Sequence, residues 1–174
     1  MASGLIFNPI HLLHAVPLAT STATLAHALL ELLTNNAFLL PSIRKESETV
    51  LPTWYDRVFN RAVWTVVTLN MGTISSAAAT LYLNGQQPQL QTTKFYSIGL
   101  ACAIGHLLFV PFVAGPVQRV VEQSRLSAKP TTESRESKES ATEAMAKWLS
   151  VHRVRMLVAD LPAWIAFVAA VATL

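Results

Sequence analysis

The chain has 174 residues, of which 52% are hydrophobic and 13% charged, with a mean hydropathy of +0.39. Soluble domains carry about 25% charged residues, so an ordinary water-soluble enzyme is excluded. The single cysteine, Cys102, excludes an intrachain disulfide framework and a cysteine-based zinc site, and nine Pro with six Gly are too few for a fibrous or disordered chain.

Residues 1–30, 62–93, 95–118 and 161–174 contain no Asp, Glu, Lys or Arg. A helix needs about 20 apolar residues to cross the hydrocarbon. The first three windows suffice, and the fourth becomes a full span when extended back toward Lys147. The sequence therefore predicts an all-α, integral membrane four-helix bundle in a single transmembrane domain, with helices near 10–40, 55–84, 94–121 and 145–173. The first span lacks the basic flank of a signal peptide, and its apolar pattern runs on to Leu40. Pro41–Thr53 is predicted as a loop and Asn84–Gln91 as a polar turn. Residues 124–142 are charged and poor in apolar side chains, which predicts a flexible cytosolic linker.

Lysine and arginine distribute unevenly between the ends of the spans. The first loop and its flanks carry Arg44, Lys45, Arg57 and Arg61, and the third loop region carries eight more, whereas the opposite side has only Lys94. This bias predicts cytosolic long loops with both termini lumenal. A multi-pass protein of the endoplasmic reticulum fits that arrangement. Basic segments also favour an anionic leaflet, so the net charge of +3 requires no nucleic acid.

Two acids fall inside the spans, Glu31 and Asp160. A charged group at bilayer depth costs about 2.5–3.5 kcal/mol on insertion scales and usually faces an interior. Thr20, Thr24, His27, Glu31 and Asn35 lie at spacings of three or four, a polar stripe on one helix face. In the last span, Trp148, His152 and Arg155 share one face by the 3.6 period, and Arg153, Asp160 and Trp164 share another. Asp160 needs a donor partner, with Arg155, a second-span side chain or His106 as candidates. Asn70, Tyr96 and His106 lie along the second and third spans, and Gly99 and Gly105 suit close helix approach. Counted from the cytosolic ends, Glu31, Asn70 and Asp160 fall about 12–18 Å deep, which would gather them in one layer of the bundle core.

Two carboxyls, histidines and an arginine support acid–base chemistry on a lipophilic small molecule drawn from the bilayer. The candidate catalytic residues are Glu31, Asp160, His27 and Arg155. The candidate substrate-binding residues are Asn70, His106, His152, Trp148 and Tyr96. No phosphate loop, nucleophile elbow, CxxC, HExxH or nucleotide-cofactor fingerprint is present. His27, Glu31 and His106 make only a thin two-His-one-carboxylate pattern, so neither metal nor cofactor is expected.

Trp54-Tyr55-Asp56-Arg57, Val110-Pro111-Phe112 and the segment from Lys147 to Arg155 resemble motifs of the anthrone-oxygenase-like membrane proteins. The last segment is similar to that family's Trp-x3-Asn-x2-Arg signature, with His152 in place of the Asn. The resemblance implies a small four-helix fungal membrane protein of polyketide metabolism, with Trp148 and Arg155 as signature positions. Some members oxygenate anthrones to anthraquinones without an evident cofactor.

The expectation from the residues is epoxide opening on a lipophilic polyketide, one of the pair Glu31 and Asp160 activating the nucleophile and the other protonating the epoxide oxygen. Anthrone oxygenation is the alternative. A non-enzymatic scaffold subunit and a transporter, whose path a homodimer could enclose, are the readings from other classes.

Overall fold

The computed structural model describes residues 9–84, 90–127 and 140–174. The predicted turn at Asn84–Gln91 and the linker at 124–142 lie largely outside the described residues. The described chain is all α. Its elements are α1 (Pro9–Ala37), a single 3-10 turn (Pro41–Ile43), α2 (Arg44–Asn84), α3 (Leu90–Leu107), α4 (Val110–Ser127), α5 (Ala141–Arg155), a π-helical turn (Met156–Asp160) and α6 (Leu161–Ala172). Four stretches are long and apolar enough to cross a membrane: Leu12–Ala37, Pro41–Leu83, Gln91–Arg125 and Ala141–Ala172.

Three boundaries differ from the sequence-based expectation. The segment predicted as a loop at Pro41–Thr53 is mostly helix, because α2 starts at Arg44. Arg, Lys, Glu and Leu are strong helix formers, and Leu51 is fully buried, so packing holds a polar helix where hydropathy alone suggests a loop. The third span is interrupted at Leu108–Phe109. Pro111 has no N–H for the Leu107 carbonyl and its ring crowds that carbonyl, yet it fits the first turn of the next helix. The fourth span widens into the π turn just before Pro162, which by the same logic cannot bond the Val158 carbonyl.

The chain packs as two compact units. The first comprises Met1–Ala26, Val66–Leu107 and Met156–Leu174; the second comprises His27–Thr65 and Leu108–Arg155. Charge is divided very unequally between them. Lys94 and Asp160 are the only Asp, Glu, Lys or Arg residues in the first unit.

The first unit closes around Ala77, Tyr96, Ala163, Phe167 and Ala170. Small residues let α3 and α6 approach closely. A Cβ added at Gly99 would lie 2.6 Å from the Phe167 ring, whereas one at Gly105 meets nothing within 4 Å. Close approach therefore needs Gly99 and not Gly105, against the expectation that both serve it. Tyr96 is fully enclosed here. Its hydroxyl donates to the His14 carbonyl (2.9 Å), and His14 Nδ1 donates back to that hydroxyl (3.1 Å).

The second unit packs Leu51 and Tyr55 of α2, Val117 and Val120 of α4, and Met145, Trp148 and Leu149 of α5. The start of α5 is doubly capped. Ser140 and Glu143 form a reciprocal capping box, with N to Oε2 at 3.3 Å and N to Oγ at 3.2 Å. Glu48 of α2 accepts from the Ala141 N–H (2.8 Å), the Thr142 N–H (3.4 Å) and the Thr142 hydroxyl. A carboxylate there also complements the helix dipole.

Gly99→Ala should therefore lower thermal stability by about 1–3 kcal/mol through overpacking against Phe167, while Gly105→Ala leaves it nearly unchanged. Glu48→Ala should cost about 0.5–2 kcal/mol through loss of the α5 cap. Thermal unfolding of the chain in nanodiscs measures all three.

Candidate functional site

In the first unit, the π turn carries Asp160 and α3 carries His106. His106 Nδ1 lies 2.6 Å from Asp160 Oδ1, and both residues are buried. With Nδ1–H donating to the carboxylate, the imidazole is fixed with Nε2 as its basic nitrogen. The π turn is what aims Asp160, since one added residue in a turn rotates every following position around the axis. For this reason the predicted shared face of Arg153, Asp160 and Trp164 does not form: Arg153 is exposed and bonds Asn36 (3.1 Å), whereas Asp160 is buried. Trp164 Nε1 donates to the Thr22 hydroxyl at 3.0 Å.

Asn70 of α2 is buried nearby in the same unit, its amide donating to the Ala103 carbonyl at 3.2 Å. A cavity of about 10 Å³ is lined by Ser21, Thr24, Asn70, Thr73 and Asp160, with Ala103 and Ala163. The hydroxyls of Thr20 and Thr73 lie 2.8 Å apart.

The second unit holds a separate group of polar side chains. His27 Nδ1 lies 3.7 Å from Glu31 Oε2, and the two side chains are 22% and 18% exposed. The stripe predicted on α1 is thus shared between units, with Thr20 and Thr24 in the first and His27, Glu31 and Asn35 in the second. Glu31 and Asp160 belong to different units, and each has its own histidine.

His152 of α5 is fully enclosed. Its Nε2–H donates to the Ala28 carbonyl (2.8 Å), and its Nδ1 accepts from Arg155 Nη2 (3.0 Å). The imidazole is therefore neutral with both nitrogens engaged. Trp148 stacks on it with ring centroids 4.8 Å apart, and Tyr55 packs edge-on to Trp148 at 6.1 Å. Arg155 is itself buried, and its charge acts on both His27 and Tyr55. The same unit contains a cleft of about 590 Å³, with Phe59, Val117 and Val121 on its apolar side and Asn60, Gln118 and Arg125 among its polar lining. A volume of this size accommodates a small organic molecule.

Sequence reasoning missed His14 and Ser21. The signal was present: His14, Pro17, Ser21, Thr24 and Ala28 follow helical spacing, and all five are buried. Among the described residues, no three His, Cys, Asp or Glu side chains gather as a metal-binding group.

Among the described residues, an all-α architecture with four potential spans and buried His106–Asp160 and His152–Arg155 pairs defines a small protein of the multi-pass membrane class. Comparison with known proteins specifies it further. The chain is 33% identical over 164 residues to "Probable epoxidase scpX" of Mollisia scopiformis, covering 92% of this chain and 94% of that protein. It is 31% identical to "Epoxidase gkaX" of Penicillium citrinum (92% and 93% covered) and 30% identical to "Epoxidase pydX" of Acremonium sp (96% of each). The chain belongs to this family of fungal epoxidases. No protein-family model matches it, and no solved structure matches.

The His152 geometry yields a prediction of its own. Gln is long enough to place an amide donor at the Nε2 position facing the Ala28 carbonyl, so His152→Gln should retain more stability than an apolar replacement. His152→Leu leaves the Ala28 carbonyl and the guanidinium without their partner and should cost about 1–3 kcal/mol. Thermal unfolding in nanodiscs separates the two.

Proposed function

We propose that this chain is a membrane-embedded epoxidase that adds one oxygen atom to a carbon–carbon double bond of a lipophilic polyketide. The carrying observation is the His106–Asp160 pair, buried in an otherwise nearly charge-free unit of a chain whose relatives bear the name epoxidase. An ionisable pair at such a place is costly unless it serves the chemistry.

The reaction consumes dioxygen and a two-electron organic donor. One oxygen atom enters the three-membered ring. The other leaves as water, taking up two electrons and two protons. In this reading His106 carries a proton on Nε2 while Asp160 holds the ring in place and balances the imidazolium. The second unit keeps its own polar group, in which Arg155 bonds His152 and Glu31 lies beside His27. Asn70 borders the first group, and Trp148 and His152 belong to the second, while Tyr96 is bound to His14 elsewhere in the first unit. The basic loops face the cytosol, the termini face the lumen, and the endoplasmic reticulum membrane delivers the substrate.

Epoxide formation and epoxide opening differ in their need for oxygen. Full-length chain in microsomes should convert an alkene that accumulates in a strain lacking this gene, and ¹⁸O₂ should place one labelled atom in the product. His106→Gln and Asp160→Asn should each lower kcat by about 10²–10⁴-fold. Turnover that continues without oxygen and consumes an epoxide would overturn the proposal in favour of ring opening.

A further inference from the structure

The small cavity beside Asp160 has a lining whose hydrogen-bond capacity can be accounted for group by group. The Ser21 hydroxyl donates to the Leu18 carbonyl (3.1 Å) and Thr24 to the Thr20 carbonyl (3.0 Å), while Thr73 shares its proton between the Thr20 hydroxyl (2.8 Å) and the Leu69 carbonyl (3.0 Å). Each hydroxyl proton is thereby spent on another protein oxygen, and only oxygen lone pairs remain. One N–H of Asn70 is taken by Ala103 at 3.2 Å, leaving its second N–H and its carbonyl oxygen. The Asp160 carboxylate is an acceptor as well. The lining is therefore rich in acceptors, and an occupant must bring protons.

Size narrows the occupant. A volume of about 10 Å³ is at the lower limit for one water molecule and too small for any organic group. Such a site is polar enough to hold a water, which needs two to four partners.

We propose that this cavity holds one water molecule that donates to the Asp160 carboxylate, and that Ser21, Thr24, Asn70 and Thr73 are positioning residues acting through it on the His106–Asp160 pair. The water accepts from Asn70 and donates one proton to Asp160 and the other to a threonine or serine oxygen. The carboxylate is thus kept as an acceptor facing His106 Nδ1–H. This rests on the proposed role of the pair in turnover; the presence of the water does not.

The test has one arm without substrate and one with it. The sequence contains only two aspartates, Asp56 and Asp160, so ¹³C-aspartate labelling gives two carboxyl signals. Asp56 is exposed and serves as the reference. In water-edited solid-state NMR of the full chain in nanodiscs, Asp160 should receive polarisation from water in the native protein. In Ser21→Val, whose added carbons fill the cavity, it should lose most of it. The His106 proton is present in both, so the difference reports the cavity. Thr73→Val, isosteric but lacking the oxygen, should lower kcat about 10- to 100-fold with KM within about twofold, and Thr73→Ser should restore it. An Asp160 signal with equal water transfer in the native protein and a folded Ser21→Val overturns the water site. A water signal that behaves as expected, with kcat unchanged in Thr73→Val, overturns the positioning role. Absence of any epoxidation with the water signal intact overturns the functional reading alone.

Discussion

A carboxylate in a nearly charge-free unit is the constraint around which the rest of this molecule is arranged. Lipid offers no hydrogen bonds, so the chain itself must satisfy every polar group it carries into the bilayer. Asp160 and Lys94 are the whole complement of acidic, lysine and arginine side chains in the first unit. His106 answers Asp160 at 2.6 Å, and the π turn ahead of Pro162 brings the carboxyl into position. A proline one residue earlier or later would shift that turn and point the acid elsewhere. The helical irregularity is thus inseparable from the hydrogen-bonded pair it positions.

The buried histidines are not equivalent, and the hydrogen-bond inventory decides between them. His152 gives its proton to Ala28 and its lone pair to Arg155, so neither nitrogen is available for proton transfer without breaking a buried bond. It works as a clamp that joins α5 to α1 and holds the guanidinium. His14 is likewise tied to Tyr96. In His106 the bond to Asp160 occupies Nδ1 and leaves Nε2 as the basic position, the arrangement in which a carboxylate orients a general base.

Much of the fold was legible in the sequence because hydrophobicity at bilayer length is a strong signal. The charge-free windows mark the apolar stretches, and the two acids stand out by their rarity. The polar start of α2 was not legible, since a helix stabilised by packing of Leu51 and Tyr55 carries the same composition as a loop. The division into two units was not legible either, because nothing in the run of α1 past Ala26 or α2 past Thr65 interrupts the helix. The face assignment in the last span failed for a definite reason. A fixed 3.6 period cannot pass through a π turn, and Pro162 was the residue that announced one.

The dimensions around Asp160 also bear on how the pair acts. A space of about 10 Å³, enough for a single water molecule, lies on one side of the carboxylate. On the other side the carboxylate is engaged with His106. Under the proposed function, Asp160 therefore acts through the imidazole and not on the substrate itself. This separates its role from that of a carboxylate attacking or protonating an epoxide directly, which needs the oxygen atom in contact with the reacting carbon or oxygen. A histidine held by an adjacent carboxylate can move protons to and from oxygen as bonds to it change, and under the proposed function that serves the reduction of one oxygen atom to water.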